Sequence, residues 1–179
     1  MACFAPEQII QIAHFLAPYV VIWSLKAKFH VHLPSSFTNN QKHLILSWAP
    51  QKLILSHPAT RFFISHGGWN SLLESMLFGK PILAWPLFAD QIQNGYRLEH
   101  EFGIGQFIPN TSFSDHQQIL SSDELAQYLQ RMFDRETEYL EKAQKLQTMM
   151  MQAKENDFQL YLKEIVNIIN DQVKQRERK

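Results

Sequence analysis

A single cysteine, Cys3, stands among 179 residues. No disulfide can form within the chain, and a reducing compartment is expected. Long hydrophobic runs are also absent. The most apolar stretch, Phe15 to Leu25, contains Pro18 and falls well short of the roughly 20 residues a membrane helix needs, so no membrane segment is expected. Neither sign of charge dominates: 17 basic and 17 acidic residues cancel, which removes a general binder of nucleic acid or membrane surface. The N-terminus lacks the basic region and cleavage site of a secretory signal. These absences point to the cytoplasm. They leave the Asn110-Thr111-Ser112 sequon as a chance triplet, since it matters only in a secretory lumen.

What is present fits one globular domain. A hydrophobic fraction of 45% and a charged fraction of 19% suit a sizeable core, and the length is too short for two full α/β domains. Glu7 to Leu16 places Ile9, Ile12, Ala13 and Leu16 on one helical face behind Pro6, a favourable helix start. Tyr19 to Leu25 reads as a strand buried on both faces. Lys26 to Lys42 reads as a polar connection, His43 to Trp48 as a strand and Lys52 to Leu55 as a helical turn. Phe62 to Ser65 is a third strand, Asn70 to Phe78 a helix, Ile82 to Trp85 a fourth strand. A helix opening at Asp90 or Gln91 runs to about Phe102, and Gly105 to Ile108 is a fifth strand.

Strands alternating with helices through short connections predict an α/β class with a parallel sheet flanked by helices. Ligands of such sheets sit beyond the carboxyl ends of the strands, here Trp48, His66 and Pro86 to Asp90. From Ser121 only helices are expected: a capping box at Ser121 to Glu124 opens one to about Phe133, followed by Thr137 to Met151 and Asp157 to Gln172. The division is an α/β core over 1–120 and a helical tail over 121–179.

The chemistry concentrates between Trp48 and Gln91. A strand ending at Ser65-His66, then Gly67-Gly68, then a helix opening at Trp69-Asn70-Ser71 sets unpaired backbone N–H groups at a helix N-terminus. That arrangement suits an anion, with the dipole alone worth a few tenths to about 2 kcal/mol per charge. His66, Asn70 and Ser71 can add donors. The structural alternative is that Asn70 or Ser71 only caps the helix and His66 only ends a strand.

The whole block, WAPQKLILSHPATRFFISHGGWNSLLESMLFGKPILAWPLFADQ, resembles the donor-binding signature of the UDP-sugar-dependent glycosyltransferases. The resemblance implies a Rossmann-like domain, the C-terminal half of a GT-B fold, in which Trp48 stacks on uracil and Ala49 bonds the base through its main chain. It implies ribose contacts from Gln51 and Glu74, and diphosphate contacts from His66, Asn70 and Ser71 around Gly68. Trp69, Asp90 and Gln91 would hold the sugar hydroxyls, with a helix N-cap as the alternative use of the last two. A terminal Gln goes with glucose in the plant-type enzymes, so UDP-glucose is the first donor to consider.

No cofactor and no metal are expected. The Asp-x-Asp of metal-dependent glycosyltransferases is absent, and His30-x-His32, a possible pair on one strand face, has no Cys, Asp or Glu partner at ligand spacing. The basic tail of Lys174, Arg176, Arg178 and Lys179 reads as a solvated helix terminus.

The resemblance covers only the second of the family's two domains. No segment matches the N-terminal acceptor domain or its catalytic His, so no catalytic residue is assigned in this chain. The chain is expected to be a fragment holding the UDP-sugar half of a hexosyltransferase, inactive alone. The small hydroxylated acceptor would be bound by a missing or separate N-terminal domain. A donor-binding subunit of a split enzyme is the second reading, and a remnant without ligand the third.

Overall fold

The computed structural model describes residues 4–109 and 119–177. Cys3, the Asn110 sequon, Arg178 and Lys179 lie outside the described residues, and so do the side chains of Lys174 and Arg176.

Helix α1 (Pro6–Leu16) opens on proline at its first turn, with Glu7 beside it. Its inward face holds Ile9, Ile12, Ala13 and Leu16, as the spacing predicts, and adds Phe15 and Gln8. A buried Gln8 amide demands partners, and the backbone of Leu120 supplies them: Gln8 Nε2 donates to its carbonyl at 3.0 Å and Oε1 accepts from its N–H at 2.8 Å. This reciprocal pair ties α1 to the start of α6 (Ser122–Asp134).

Strand β1 (Val21–Ser24) pairs in parallel with β2 (His43–Leu46), Val21 opposite His43. The expectation that β1 is buried on both faces fails. Val21 and Trp23 pack on the core, while Ile22 and its partner Leu44 are both about half exposed, at 48% and 51%. The connection after β1 is not irregular either. Ala27–His32 form a 3₁₀ turn and Ser35–Thr38 a short helix, α2. Phe37 on α2 is buried and stacks on His43 at 3.8 Å, so this segment buries an aromatic ring rather than serving as a polar spacer. His30 and His32 therefore stand on a 3₁₀ turn, not on a strand, and the His30 ring bonds the Leu25 carbonyl at 2.7 Å.

Helix α3 (Gln51–Ser56) follows β2, then β3 (Phe63–Ser65), α4 (Trp69–Leu77), β4 (Ile82–Ala84), α5 (Gln91–Arg97) and β5 (Gly105–Phe107). A π-helical turn, Leu98–Phe102, extends α5 to the predicted end at Phe102. The order in the second sheet is β3-β4-β5, all parallel, with Ser65 opposite Ala84 and Ala84 opposite Phe107. Continuous burial belongs to β4, the central strand, whose three residues are almost fully enclosed. Among the described residues the parallel strands form these two groups rather than one ladder. One apolar cluster joins them: Leu83, Trp85 and Ile108 pack with Ile9, Phe15, Leu125 and Met132, and Val21 and Trp23 lie against it.

At α6 the capping box forms as the sequence predicts: Ser121 Oγ accepts from the Glu124 N–H at 3.2 Å, and Glu124 accepts from the Ser121 N–H at 2.8 Å. The bonds that the Ser121 N–H and hydroxyl donate to the Glu124 carboxylate, each 2.8 Å, favour its ionised form and hold its pKa below the usual value. The two helices expected after it are one, α7 (Glu136–Glu177), 42 residues long. The reason is local. The residues between Met151 and Asp157 include neither Gly nor Pro and are mostly good helix formers, so nothing stops propagation. Among its described side chains burial is confined to the first turns: Tyr139 and Ala143 are enclosed, and Gln147 donates to the Leu77 carbonyl at 2.8 Å.

Candidate functional site

Three connections leave the carboxyl ends of β2, β3 and β4, and every residue singled out between Trp48 and Gln91 lies on them or on the first turns that follow. The first, after β2, leaves Trp48 with 76% of its surface exposed. An indole that large normally buries its faces, so an exposed ring at a strand end is available for stacking. Ala49 follows the bend at Ser47–Trp48 and is half-buried.

Helix α3 then turns Gln51 toward α4. Its amide donates to Glu74 Oε2 at 2.8 Å and reaches Ser71 Oγ at 3.5 Å. Residues 20 and more apart in sequence thus form one polar group, which Lys52 joins at 3.7 Å from Glu74 Oε1. The sequence pattern does not reveal Lys52.

The second connection is the Gly-Gly turn. Gly67 has φ of +78°, a conformation glycine adopts freely. Its N–H is taken by Ser65 Oγ at 3.3 Å. Gly68 is the N-cap of α4 and no side chain caps the helix. The capping alternative for Asn70 and Ser71 is thereby set aside: both sit inside the first turn, with Asn70 exposed and Ser71 half-buried. Among the described residues nothing outside the helix takes the first backbone N–H groups of α4, as an anion site needs. The His66 ring folds over Gly68 so closely that a Cβ there would lie 2.5 Å from Nε2. Although one side of the His66 ring meets solvent, desolvation by the surrounding chain pushes its pKa below 6.5, and the charge of Asp90 opposes that only in part. Trp69, the first residue of α4, is 39% exposed with the Arg97 guanidinium 5.7 Å from its ring.

The third connection precedes α5. Asp90 is in N-cap position but its carboxylate caps nothing. Instead Asp90 Oδ2 accepts from the Asn94 side chain at 2.9 Å, one turn along. Gln91 is only 5% exposed, and its Oε1 accepts from the N–H groups of Leu87 and Phe88 at 2.9 and 3.1 Å. Those two bonds span the approach to Ala89, which has φ of +55°, a strained value for a residue with a Cβ. The expectation that Gln91 holds sugar hydroxyls is narrowed on this point. Its oxygen is engaged, and what it can offer a ligand is its amide N–H. Asn94, buried and absent from the sequence-based set, is bound to Asp90 and also donates to the Gly67 carbonyl at 3.0 Å. Its position four residues after Asp90, on one helix face, is the signal that marks it. Among the described residues no three His, Cys, Asp or Glu side chains are grouped to hold a metal ion.

Parallel strands, crossover helices and a glycine turn feeding a helix define an α/β domain of the kind whose ligands sit at the strand ends. Comparison with known proteins narrows the class. The family model described as UDP-glucoronosyl and UDP-glucosyl transferase matches residues 1–152, and the chain belongs to that family. The UDP-glucose flavonoid 3-O-glucosyltransferase 6 of Fragaria ananassa is 32% identical over 178 residues, 90% of this chain and 37% of its own. Anthocyanidin 3-O-glucosyltransferase 7 of Manihot esculenta is 42% identical over 104 residues, 56% of this chain and 36% of its own. The crystal structure of Medicago truncatula UGT71G1 complexed with UDP-glucose matches with a TM-score of 0.73 at 35% identity, over 83% of this chain and 33% of that one. Os79 of O. sativa, in complex with UDP and deoxynivalenol-3-glucoside, matches with a TM-score of 0.73 at 26% identity, over 83% and 35%. The chain thus spans little more than a third of the length of the curated relatives it matches. No described helix is long and apolar enough to cross a membrane.

Proposed function

We propose that this chain holds the UDP-sugar donor of a hexosyl transfer from UDP-sugar to a small hydroxylated acceptor, with UDP-glucose the donor. The observation that carries the reading is the convergence of the three loops at the strand ends. An exposed indole, a Gln–Glu pair, an uncapped helix N-terminus and an Asp–Gln pair offer what a base, a ribose, a diphosphate and a hexose each need. Each group suits its partner: Trp48 stacks on the base beside the Ala49 main chain, and Glu74 with Gln51 accepts and donates to the ribose diol. Gly68, Asn70, Ser71 and His66 receive the diphosphate at the α4 N-terminus, while Trp69, Asp90 and the Gln91 amide meet the sugar.

As the bond from the anomeric carbon to the diphosphate oxygen breaks, negative charge grows on UDP. Donors fixed in advance at that oxygen stabilise such charge without reorganisation, and here they are backbone N–H groups and His66. The reading requires no divalent cation. The compartment proposed is the cytoplasm, in keeping with a lone cysteine. The relatives carry the matched region within chains nearly three times as long, which gives no support to a separate donor-binding subunit.

Calorimetry of the folded chain with UDP in EDTA tests the proposal. Saturable heat with a thermal shift supports it. Neither signal at millimolar UDP would end it.

A further inference from the structure

We propose that Asn94 is a positioning residue that sets the Asp90 carboxylate at a fixed offset from the Gly67-Gly68 turn, so that sugar and diphosphate are registered against each other. The inference rests on the donor-site reading above and adds to it a residue in no direct contact with the ligand. Both hydrogens of the Asn94 amide are committed, one to the Gly67 carbonyl at 3.0 Å and one to Asp90 Oδ2 at 2.9 Å. The side chain is buried, with 7% of its surface exposed, in a setting where hydrogen bonds are strong and costly to leave unmade. Its two acceptors belong to different connections, one after β3 and one after β4.

The turn and the helix already touch. A Cβ at Gly67 would lie 3.3 Å from the Gln91 carbonyl oxygen. The Gly67 carbonyl in turn accepts from Asn94 on α5. With Asn94 in place, the exposed Asp90 carboxylate is held from one turn along α5 instead of capping the helix. Without it, Asp90 keeps its charge but loses its position, while the free N–H groups of α4 keep theirs. UDP, which has no sugar, would scarcely register the change. UDP-glucose would.

The test measures UDP and UDP-glucose binding to the full 179-residue chain by calorimetry for the native protein, Asn94→Ala, Asp90→Ala and the double variant. Asn94→Ala is expected to weaken UDP-glucose about tenfold and UDP by less than about threefold, and to add no further loss on the Asp90→Ala background. Equal losses for the two ligands, or an additive loss in the double variant, would show a merely structural residue and overturn the proposal. If Asn94→Ala loses its helical circular dichroism, Asn94→Ser, whose single hydroxyl can serve one partner at a time, carries the same comparison with the same criteria. A native chain that binds neither ligand overturns the donor-site reading, and this inference falls with it. A native chain that binds both, with an unselective Asn94 variant, overturns this inference alone.

Discussion

Gln51 Nε2 donates to Glu74 Oε2 at 2.8 Å, joining the turn after β2 to the middle of α4. The bond holds the Glu74 carboxylate in one orientation, with its other oxygen 3.7 Å from Lys52. A carboxylate fixed in this way can accept from two neighbouring hydroxyls without first losing side-chain freedom.

Glu74→Ala should therefore weaken UDP by roughly 1.5–3 kcal/mol, the range for hydrogen bonds to a charged group. It should also erase any preference for UDP over 2′-deoxy-UDP. Competition binding of the two nucleotides measures both effects. A variant that still prefers the ribonucleotide as strongly as the native chain would take Glu74 off the ribose.

Trp48 and Gln91 should separate by ligand. Trp48→Ala is expected to cost roughly 1–3 kcal/mol for UDP and UDP-glucose alike, because both present the same base to the ring. For Gln91 the informative change is to Glu, which keeps the two bonds accepted from Leu87 and Phe88 while removing the amide N–H. UDP-glucose should then lose more affinity than UDP. Equal losses would assign Gln91 to loop support alone.

His66 gives a pH signature. Burial holds its pKa below 6.5, so between that folded value and 6.5 the unfolded chain binds more protons than the native one. Stability contributed by this group is full above 6.5 and falls as pH drops through that window. An NMR titration of the ring should show a midpoint below 6.5 in the free chain and a higher midpoint once UDP brings a diphosphate beside it. A midpoint unmoved by saturating UDP would remove His66 from the diphosphate.

Sugar transfer by these 179 residues alone should be undetectable even with donor bound. An acceptor hydroxyl has to lose its proton to a positioned base, worth typically about 10²–10⁴-fold. It must also be oriented on the anomeric carbon, which can contribute roughly 7–11 kcal/mol. His66 is engaged over Gly68, and the proposed site uses its other polar groups on the donor. Product formation from UDP-glucose with a panel of phenols and alcohols is the measurement, and robust transfer would mean that a base within these residues had been overlooked.

The order of strands and helices was legible in the sequence because each element carries its own local marks: the helical spacing of Ile9 to Leu16, the Ser121–Glu124 capping box, and the Gly-Gly turn between β3 and α4. The contiguous block from Trp48 to Gln91 likewise fixes which side chains arrive at the strand ends. What the tertiary structure decided is how they are used. Burial of β1 on one face and β4 on both depends on neighbours far along the chain, which periodicity over seven residues does not register. The continuity of α7 reflects an absence of breakers more than any positive pattern. The engagement of Gln91 Oε1 by Leu87 and Phe88, the release of Asp90 from capping, and the bridge that Asn94 makes between Asp90 and Gly67 are hydrogen bonds set by folded geometry. Residue identity supplies donors and acceptors, but only packing determines which of them are spent on the protein and which are left for a ligand.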